Sequence, residues 1–454
     1  MNNRPGLESR LRAYLSSGAR TQAPSGMEGR IAARVLGRRY SWAFQLMAAA
    51  AVLVLAIGLG VGVTKLRQSN AALKVSPRPT PIVTATASVS PPATPPASPT
   101  PEPSVGPYPL MAPTTFTMVS MSTGWAAGSG TNRILRTSDG GTHWNDLTPS
   151  GARPGNWTPF FFDADSAWLA SSVQPGSSTA DFSVAIYRTV NGGRSWQQAG
   201  TVAAAEGWPA ALDFVDKNHG WLFMKLGGAA GSDGVAFYGT MDGGATWAKL
   251  SEANTSGASG RLPLRCSKGT PVFLNSSTGW MPGGCSAGGG PFFYVTRDGG
   301  RTWNDARIAM PASAAAPCMC EIDSLRFSDS RNGAFVLNIY EGSGLPQNVL
   351  YTTSDAGASW RPGPPLPANS YTVFLLDAMQ GWTVDAKANN LLFTADAGRH
   401  WSVVGTIPST QVVMVYQFVT DKIGWALGSE AKGQSVLKTV DGGATWTSQL
   451  APAS

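Results

Sequence analysis

An eight-residue motif that recurs seven times constrains the fold of this chain more than any other sequence feature. It contains a Thr, an Asp or Asn two positions later, one or two glycines and a closing Trp. The copies, called repeat motifs 1 to 7, are Thr137–Trp144, Thr189–Trp196, Thr240–Trp247, Thr296–Trp303, Thr353–Trp360, Thr394–Trp401 and Thr439–Trp446. Successive copies are 41 to 57 residues apart. Periods of this length are typical of propellers rather than of a two-layer domain.

A second landmark precedes each motif, usually a Gly-Trp pair that follows polar turn residues. The pairs are Gly124-Trp125, Ala167-Trp168, Gly220-Trp221, Gly279-Trp280, Gly333-Ala334, Gly381-Trp382 and Gly424-Trp425. Alternating apolar positions then predict four short strands per unit. In the first unit these are Thr115–Ser120, Gly124–Gly128, Ile134–Thr137 and Trp144–Leu147. Seven such units predict an all-β, seven-bladed β-propeller of four-stranded blades.

The motif itself is predicted to be a hairpin between the third and fourth strands of each unit. Its acidic or amide side chain can accept hydrogen bonds from backbone N–H groups of its own turn, and its Trp can pack between neighbouring blades. A residue present in every blade cannot mark one site, so these residues are interpreted as structural rather than catalytic. They are Asp139, Asn191, Asp242, Asp298, Asp355, Asp396 and Asp441, with Trp144, Trp196, Trp247, Trp303, Trp360, Trp401 and Trp446.

The motif resembles the Asp box of the bacterial neuraminidase repeat family, Ser/Thr-x-Asp-x-Gly-x-Thr/Ser-Trp. Departures are mild: Asn191 replaces the acid, Ala356 and Ala397 replace the first glycine, and His143 and His400 precede Trp. The pairing of a Gly-Trp strand with the motif is most similar to the photosystem II stability/assembly factor branch, and less similar to sialidases or sortilin-type receptors. The resemblance covers about residues 109–450 and implies a propeller that binds other molecules.

The first hundred residues are organised differently, and we predict four segments along the chain. Residues 1–41 form an Arg-rich tail, 42–64 a transmembrane helix, 65–108 a Pro/Ser/Thr-rich linker and 109–454 the propeller. The apolar run is about 20 residues long, enough to cross a bilayer, and its distance from the N-terminus suits an uncleaved signal anchor. Charges close to its two ends balance, so the orientation rests on the Arg-rich tail and on the linker, which is of the kind found outside cells. We expect a bacterial cell-membrane protein with its N-terminus inside and its propeller outside.

The formal charge of +7 belongs to the N-terminal part of the chain. Residues 1–78 contain 12 Lys and Arg and 2 Asp and Glu, which leaves the remainder with 22 basic and 25 acidic residues. A basic N-terminal region suits anionic lipid headgroups. The propeller lacks the basic excess that nucleic-acid binding requires, so no nucleic-acid partner is predicted.

All four cysteines, Cys266, Cys285, Cys318 and Cys320, are predicted to lie on one face of the ring. Outside the cytoplasm two disulfides are expected. A Cys266–Cys285 bridge would join residues that flank an antiparallel pair but would leave a cramped Cys318–Cys320 bridge, which cross-pairing would avoid. A four-thiolate metal site is the lesser alternative, because only one close pair of cysteines exists.

No catalytic, cofactor-binding or metal-binding motif is predicted. The three histidines, His143, His219 and His400, all fall in structural turns. A sialidase-like Arg-Ile-Pro motif is approached only by Arg261-Leu262-Pro263, which stands too late in the ring. A glycosidase needs two opposed carboxylates, and the candidates near the connecting loops are Asp213, Glu252, Glu321, Asp323 and Glu341.

Antiparallel four-stranded blades would place the repeat motifs and Gly-Trp turns on one face, called the motif face. The opposite face, called the loop face, would carry the connections 148–160, 172–182, 251–270, 283–291, 305–322 and 341–348. Rigid scaffolds usually place function on such loops. Trp157, Trp208 and Tyr340 lie near them and could stack on a sugar or a peptide.

These features predict a membrane-anchored, extracytoplasmic binding, scaffolding or sensor module for a protein or a cell-wall glycan, which would bind at the loop face. The first alternative is a photosystem II assembly-factor-like role in membrane-complex biogenesis. The second is a glycoside hydrolase of sialidase-like architecture. The sequence shows no strand exchange that would close the ring, although residues 107–111 could pair with the last blade.

Overall fold

A computed structural model gives the fold of most of the chain beyond residue 112. It describes residues 113–128, 132–153, 155–172, 183–203, 207–229, 231–285, 289–311, 314, 318–340, 347–385, 387–409, 416–430 and 433–450. The predicted tail, transmembrane helix and linker, and residues 107–111, lie outside these ranges. Within them, no helix is both long enough and apolar enough to span a bilayer.

The regular structure of the described residues consists of β-strands, which we group into units 1 to 7 by the repeat motif that each contains. Units 1 and 2 contain β1 (Pro113–Met118), β2 (Gly124–Gly128), β3 (Ile134–Thr137), β4 (Asn145–Asp146), β5 (Asn156–Phe161), β6 (Ala167–Ser172), β7 (Val184–Thr189) and β8 (Gln197–Val202). Unit 3 contains β9 (Trp208–Phe214), β10 (Gly220–Ala229), β11 (Ser232–Thr240), β12 (Ala248–Asn254) and β13 (Gly257–Ala258).

The later units follow the same plan. Unit 4 contains β14 (Ser267–Lys268), β15 (Val272–Phe273), β16 (Gly279–Gly284), β17 (Pro291–Thr296) and β18 (Asn304–Asp305), and unit 5 contains β19 (Met319–Phe327), β20 (Gly333–Tyr340), β21 (Gln347–Thr353) and β22 (Arg361–Pro365). Units 6 and 7 contain β23 (Ser370–Leu375), β24 (Gly381–Asp385), β25 (Asn390–Thr394), β26 (Ser402–Thr406), β27 (Tyr416–Phe418), β28 (Gly424–Glu430), β29 (Gly433–Thr439) and β30 (Thr447–Leu450).

Consecutive strands within a unit pair antiparallel, except that β14 and β15 of unit 4 both pair with β16. In every unit the repeat motif joins the third main strand to the fourth. In unit 1 the second and third strands have the predicted bounds. The first spans Pro113–Met118, and the fourth is only Asn145–Asp146 because Trp144 turns its side chain into the core. All six predicted connections contain strand residues at one or both ends, and the segment 251–270 also includes the short strands β13 and β14.

Units 4 and 5 are joined into one nine-stranded sheet, a feature that the repeat pattern did not predict. The link is a single pairing of Gly284 on β16 with Glu321 on β19. A Cβ at position 284 would lie 2.7 Å from the Cys320 carbonyl oxygen and 2.9 Å from the Glu321 Cβ. Only glycine therefore allows the two strands to approach this closely.

The hydrophobic core lies between units rather than within them. One cluster combines Phe116 and Trp144 of unit 1 with Trp425 and Val436 of unit 7. Similar clusters join unit 2 to unit 3 and unit 6 to unit 7. A sheet with two apolar faces must be covered on both, and the next unit in the chain supplies the cover. The structure is thus all-β with repeated four-stranded sheets, consistent with a β-propeller.

Candidate functional site

The polar side chains of the repeat motifs are engaged in their own turns. In motif 1 the Thr137 hydroxyl donates to Asp139 Oδ1 at 2.9 Å, and the Gly141 and His143 N–H groups donate to Thr137 Oγ1 and Asp139 Oδ1, both at 2.9 Å. Gly141 has φ of 99°, a left-handed conformation that glycine adopts readily. In motif 2 Asn191 Oδ1 accepts the equivalent bonds, so the amide replaces the carboxylate without loss of the turn.

These hydrogen bonds also explain the acidity of the motif carboxylates. The hydroxyl and backbone N–H of Ser359 lower the pKa of Asp355 to about 2, and Thr445 does the same for Asp441. A carboxylate that accepts several hydrogen bonds is stabilised in its ionised form. An acid that stays ionised and bonded within its turn is poorly suited to act as a general acid at neutral pH.

In several units the tryptophan of the second strand is hydrogen-bonded to the next unit, a role that the sequence did not indicate. Trp168, Trp221, Trp382 and Trp425 donate their indole N–H to the carbonyl of the first glycine in the following motif, at 2.8 to 3.2 Å. For Trp425 that acceptor is Gly140 of unit 1, 285 positions earlier in the chain. The Trp425 bond therefore links the last described unit to the first.

The motif tryptophans differ from one another in depth. Trp144, Trp303 and Trp360 are buried, whereas Trp196, Trp247, Trp401 and Trp446 are partly exposed. In Trp144, Trp247, Trp401 and Trp446 the indole N–H donates to a glycine carbonyl of its own motif. These side chains therefore brace their hairpins as well as packing against a neighbouring unit.

The boundary between units 5 and 6, called the 5/6 seam, departs from this pattern. Ala334 stands where other units have the second-strand Trp, and Arg326 lies opposite it on β19. The Arg326 guanidinium carbon lies 4.2 Å from the centroid of the Phe374 ring. Burial lowers the pKa of Arg326 to about 10. A guanidinium over an aromatic ring thus joins units 5 and 6, where the second-strand indole is absent.

The four cysteines form two disulfides, Cys266–Cys285 and Cys318–Cys320. Cross-pairing, which the sequence left open, is not the arrangement that the structure adopts. Strand β16, which ends just before Cys285, lies between β14 and β19. Its Gly284 pairs with Ser267, which follows Cys266, and with Glu321, which follows Cys320. Proximity in the strand register alone therefore does not predict which cysteines are bonded.

The described residues contain no group of three or more His, Cys, Asp and Glu side chains that could hold a metal ion.

The candidate glycosidase residues are distributed over several units. Glu252 Oε2 accepts from Lys249 Nζ at 2.8 Å, and Asp323 Oδ1 accepts from the Ser324 N–H at 2.6 Å. Glu321 is exposed on β19, and Glu341 lies outside the described residues. Leu262, in the sequence that approaches Arg-Ile-Pro, is fully buried, which indicates a packing role.

Asp213 is a carboxylate whose pKa is raised, unlike those of the motif carboxylates in the described part of the chain. Its Oδ2 accepts a hydrogen bond from the Phe273 N–H at 2.7 Å, across the boundary between units 3 and 4. It lines a small cavity whose other walls include Trp221, Phe223 and Phe237. Desolvation in these apolar surroundings raises the pKa of Asp213 to about 7.

The Asp213→Asn variant is expected to be more stable than the wild type at pH 8 and equally stable near pH 4. A carboxyl with a raised pKa binds more protons in the folded state than in the unfolded state between about pH 4 and 7, so wild-type stability falls as pH rises through that window. The amide cannot ionise but can still accept from Phe273. The expected gain at pH 8 is about 1–3 kcal/mol, measured by urea unfolding.

Asp355→Asn is the control for this prediction, because hydrogen bonds lower the pKa of that carboxyl. It should destabilise the protein at pH 8, with the opposite sign. A gain for Asp213→Asn that is the same at pH 4 and pH 8 would contradict the proposed role of charge burial.

A buried lysine cluster on the loop face was missed by the sequence analysis. Lys268 is 2% exposed, and its Nζ lies 2.9 to 3.3 Å from the carbonyl oxygens of Asp233, Leu264, Arg265 and Cys266. Burial lowers the pKa of Lys268 to about 8, although the charge of Asp233 opposes this shift. Its acceptors are main-chain groups, so no pattern of side chains in the sequence could have indicated the cluster.

An exposed apolar patch also lies towards the loop face, formed by Met319 on β19 and Tyr340 on β20. Met319 and Tyr340 are directly opposite one another in the β19–β20 pairing. Trp157 is partly buried and donates its indole N–H to the Arg153 carbonyl at 2.7 Å. Of the aromatics singled out in the sequence, Tyr340 is therefore the one that the structure exposes most clearly.

Fold and side-chain geometry together define an all-β protein of repeated four-stranded sheets, with saturated turns on the motif face and irregular connections on the loop face. No family model matches the chain. In sequence it is similar to the photosystem II assembly lipoprotein Ycf48 of Synechococcus sp. (strain CC9902), with 28% identity over 163 residues. That match covers 34% of this chain and 42% of the relative, so the chain spans less than half of the relative's length.

Two solved structures are also similar to the chain. The first is Ycf48 bound to a D1 peptide, with 16% identity, a TM-score of 0.47 and coverage of 74% of this chain and 95% of that one. The second is an ancestral GH74 enzyme, with 12% identity, a TM-score of 0.48 and coverage of 76% of this chain and 47% of that one.

Proposed function

We propose that this chain is a seven-bladed Asp-box propeller that binds a protein partner during the biogenesis of a membrane complex, in a role like that of photosystem II assembly factors. The sequence similarity to the photosystem II assembly lipoprotein is the observation that carries this proposal. The motif-bearing units support the blade count. The bond from Trp425 to Gly140, together with the contact of Gln417 Nε2 with the Met118 carbonyl, supports a closed ring.

We place the partner-binding surface on the loop face, at the patch of Met319 and Tyr340. Exposed methionines and tyrosine are residue types that adapt to and anchor protein interfaces. The motif face is less suitable because its polar groups are bound within their own turns. In this proposal the ring is a rigid support, and it carries out no chemistry.

The anchor is a further part of the proposal. Residues 42–64 would hold the ring at a membrane, with the linker between them, because the apolar run has spanning length and basic flanks. The full chain should stay in the membrane pellet after a carbonate wash, and a variant that lacks residues 42–64 should be released. Release of both proteins would overturn the anchor.

Partner binding can be tested by affinity purification of the tagged full chain from its own host, in mild detergent, with chemical cross-linking and mass spectrometry. We expect Met319→Ser to reduce recovery of a membrane-protein partner at least fivefold. Met241→Ser, which alters a 72% exposed methionine on the motif face, should leave recovery unchanged. Equal losses in both variants would exclude the loop-face patch.

The same preparation separates the other functions. Enrichment on cell-wall glycan without any membrane protein would favour a glycan-binding module. Release of sugar from such glycans, abolished by replacing a loop-face carboxylate with its amide, would instead establish a hydrolase and overturn the proposed role.

A further inference from the structure

The 5/6 seam contains buried oxygen atoms that have no hydrogen-bond partner within the described part of the chain. These are Asn338 Oδ1, Asn348 Oδ1 and Ser370 Oγ. Their residues are 7%, 5% and 1% exposed. Buried polar atoms are nearly always bonded, so three such atoms in one seam indicate something that they bind.

The strand register brings these side chains together. Asn338 on β20 pairs directly with Asn348 on β21 and, on its other side, with Glu321 on β19. Side chains at directly paired positions lie on the same face of a sheet, with Cβ atoms about 5 Å apart. Glu321, Asn338 and Asn348 thus form a transverse row of oxygen-bearing side chains on one face of unit 5.

That face is the one covered by unit 6. Val336 and Leu350, two positions before Asn338 and two after Asn348, pack with Val373 and Leu375 of unit 6. Ser370 begins the first strand of unit 6, and its carbonyl accepts a hydrogen bond from Asn348 Nδ2. Because that carbonyl requires a donor, the orientation of the Asn348 amide is fixed and its Oδ1 is left as an acceptor.

These oxygen atoms are the type of ligand that a hard cation prefers. Two amide carbonyl oxygens and a hydroxyl oxygen can all coordinate an ion, and the exposed Glu321 carboxylate at the edge of the row can supply negative charge. Calcium accepts irregular arrangements of such oxygens, whereas magnesium requires near-ideal octahedral geometry. The positive charge of Arg326 is on the same face of β19 as Glu321. It is distant from the oxygen row, however, because its partner Ala334 is four residues from Asn338, about 13 Å along the strand.

We propose that Glu321, Asn338, Asn348 and Ser370 form a calcium site that fastens unit 5 to unit 6, where the connecting indole is replaced by Ala334. The site is at the loop-face end of the seam, where Asn338 is two residues along β20 from the exposed Tyr340, so an ion can enter from solvent. With one carboxylate, its affinity should fall in the range of about 0.1–1 mM that is found for extracellular calcium modules.

The test is thermal unfolding of the full chain in EDTA, in 5 mM MgCl2 and in 5 mM CaCl2. Calcium, but not magnesium, should raise the melting temperature of the wild type, because a ligand that binds only the folded state stabilises it by mass action. Glu321→Gln should weaken calcium binding at least tenfold, measured as the calcium-dependent shift in melting temperature relative to the same variant in EDTA. Asn338→Leu should abolish the calcium-dependent shift.

Asp305→Asn is the matched control, since it removes an exposed carboxylate on β18, away from the seam, and should retain the full shift. Absence of a calcium effect in the wild type would overturn the site. An equal calcium effect in the wild type and Glu321→Gln would do the same, and this comparison remains decisive if Asn338→Leu fails to fold. A crystal grown in calcium that shows only a water among these oxygens would also exclude it.

Discussion

Trp425→Ala is expected to reduce the free energy of unfolding by about 3–5 kcal/mol, the usual cost of removing a fully buried Trp. Trp425 has no exposed surface, and it packs with Phe116 and Trp144 of unit 1. Its indole N–H is bonded to the Gly140 carbonyl at 2.8 Å. The variant therefore weakens the contact between the last and first units. Chemical unfolding of the full chain, followed by tryptophan fluorescence and circular dichroism, measures the loss.

Two further variants separate the contributions of this side chain. Trp425→Phe keeps an aromatic ring but loses the indole hydrogen bond, and the lost bond should account for about 1 kcal/mol. Trp446→Ala removes a partly exposed motif Trp from the same unit, whose N–H is bonded to Gly443 of its own motif, and should cost clearly less. If Trp446→Ala costs as much as Trp425→Ala, the contact between units 7 and 1 has no special role in stability.

Lys268→Met is expected to destabilise the protein by about 3–5 kcal/mol, the scale observed when one partner of a buried charged network is removed. Methionine fills much of the space of the lysine stem but cannot donate to the four carbonyl groups around Nζ. Several buried acceptors would then lose a partner. Urea unfolding at pH 7.5 measures the effect.

The pH dependence of this loss has a defined sign. The pKa of Lys268 is lowered to about 8 in the folded state, so between about pH 8 and 10 the unfolded state binds more protons. Wild-type stability relative to Lys268→Met should therefore rise across this window. Lys249→Met is the control, because Lys249 is half-exposed and paired with Glu252 at the surface. It should cost less than about 1 kcal/mol at every pH.

The sequence correctly predicted an all-β protein of repeated four-stranded sheets and the bounds of β2 and β3 in unit 1, because these depend on local turn chemistry and on alternation of apolar residues. Thr137, Asp139 and Gly141 form their turn within five residues, so the sequence contains all its partners. The predicted anchor, its orientation and the linker remain predictions, since those residues lie outside the described ranges.

The candidate site could be predicted only in part. The order of strands placed Tyr340 near the loop face, and the structure exposes it there; its role in binding remains a prediction. Asp213 was named as a carboxylate, but the burial that raises its pKa comes from side chains on other strands, including Trp221 and Phe237. The disulfide pairing also required the structure, since Cys285 has neighbouring cysteines on two sides in the strand register.

The sequence by itself determined the repeating unit, because a hairpin turn and its hydrogen bonds are local. Only the tertiary structure decided what joins the units: the indole bond from Trp425 to Gly140, the carbonyl groups around Lys268 and the row of Glu321, Asn338 and Asn348. These contacts join residues far apart in the chain or use backbone acceptors that every residue has. Their partners therefore become defined only when the sheets pack against one another.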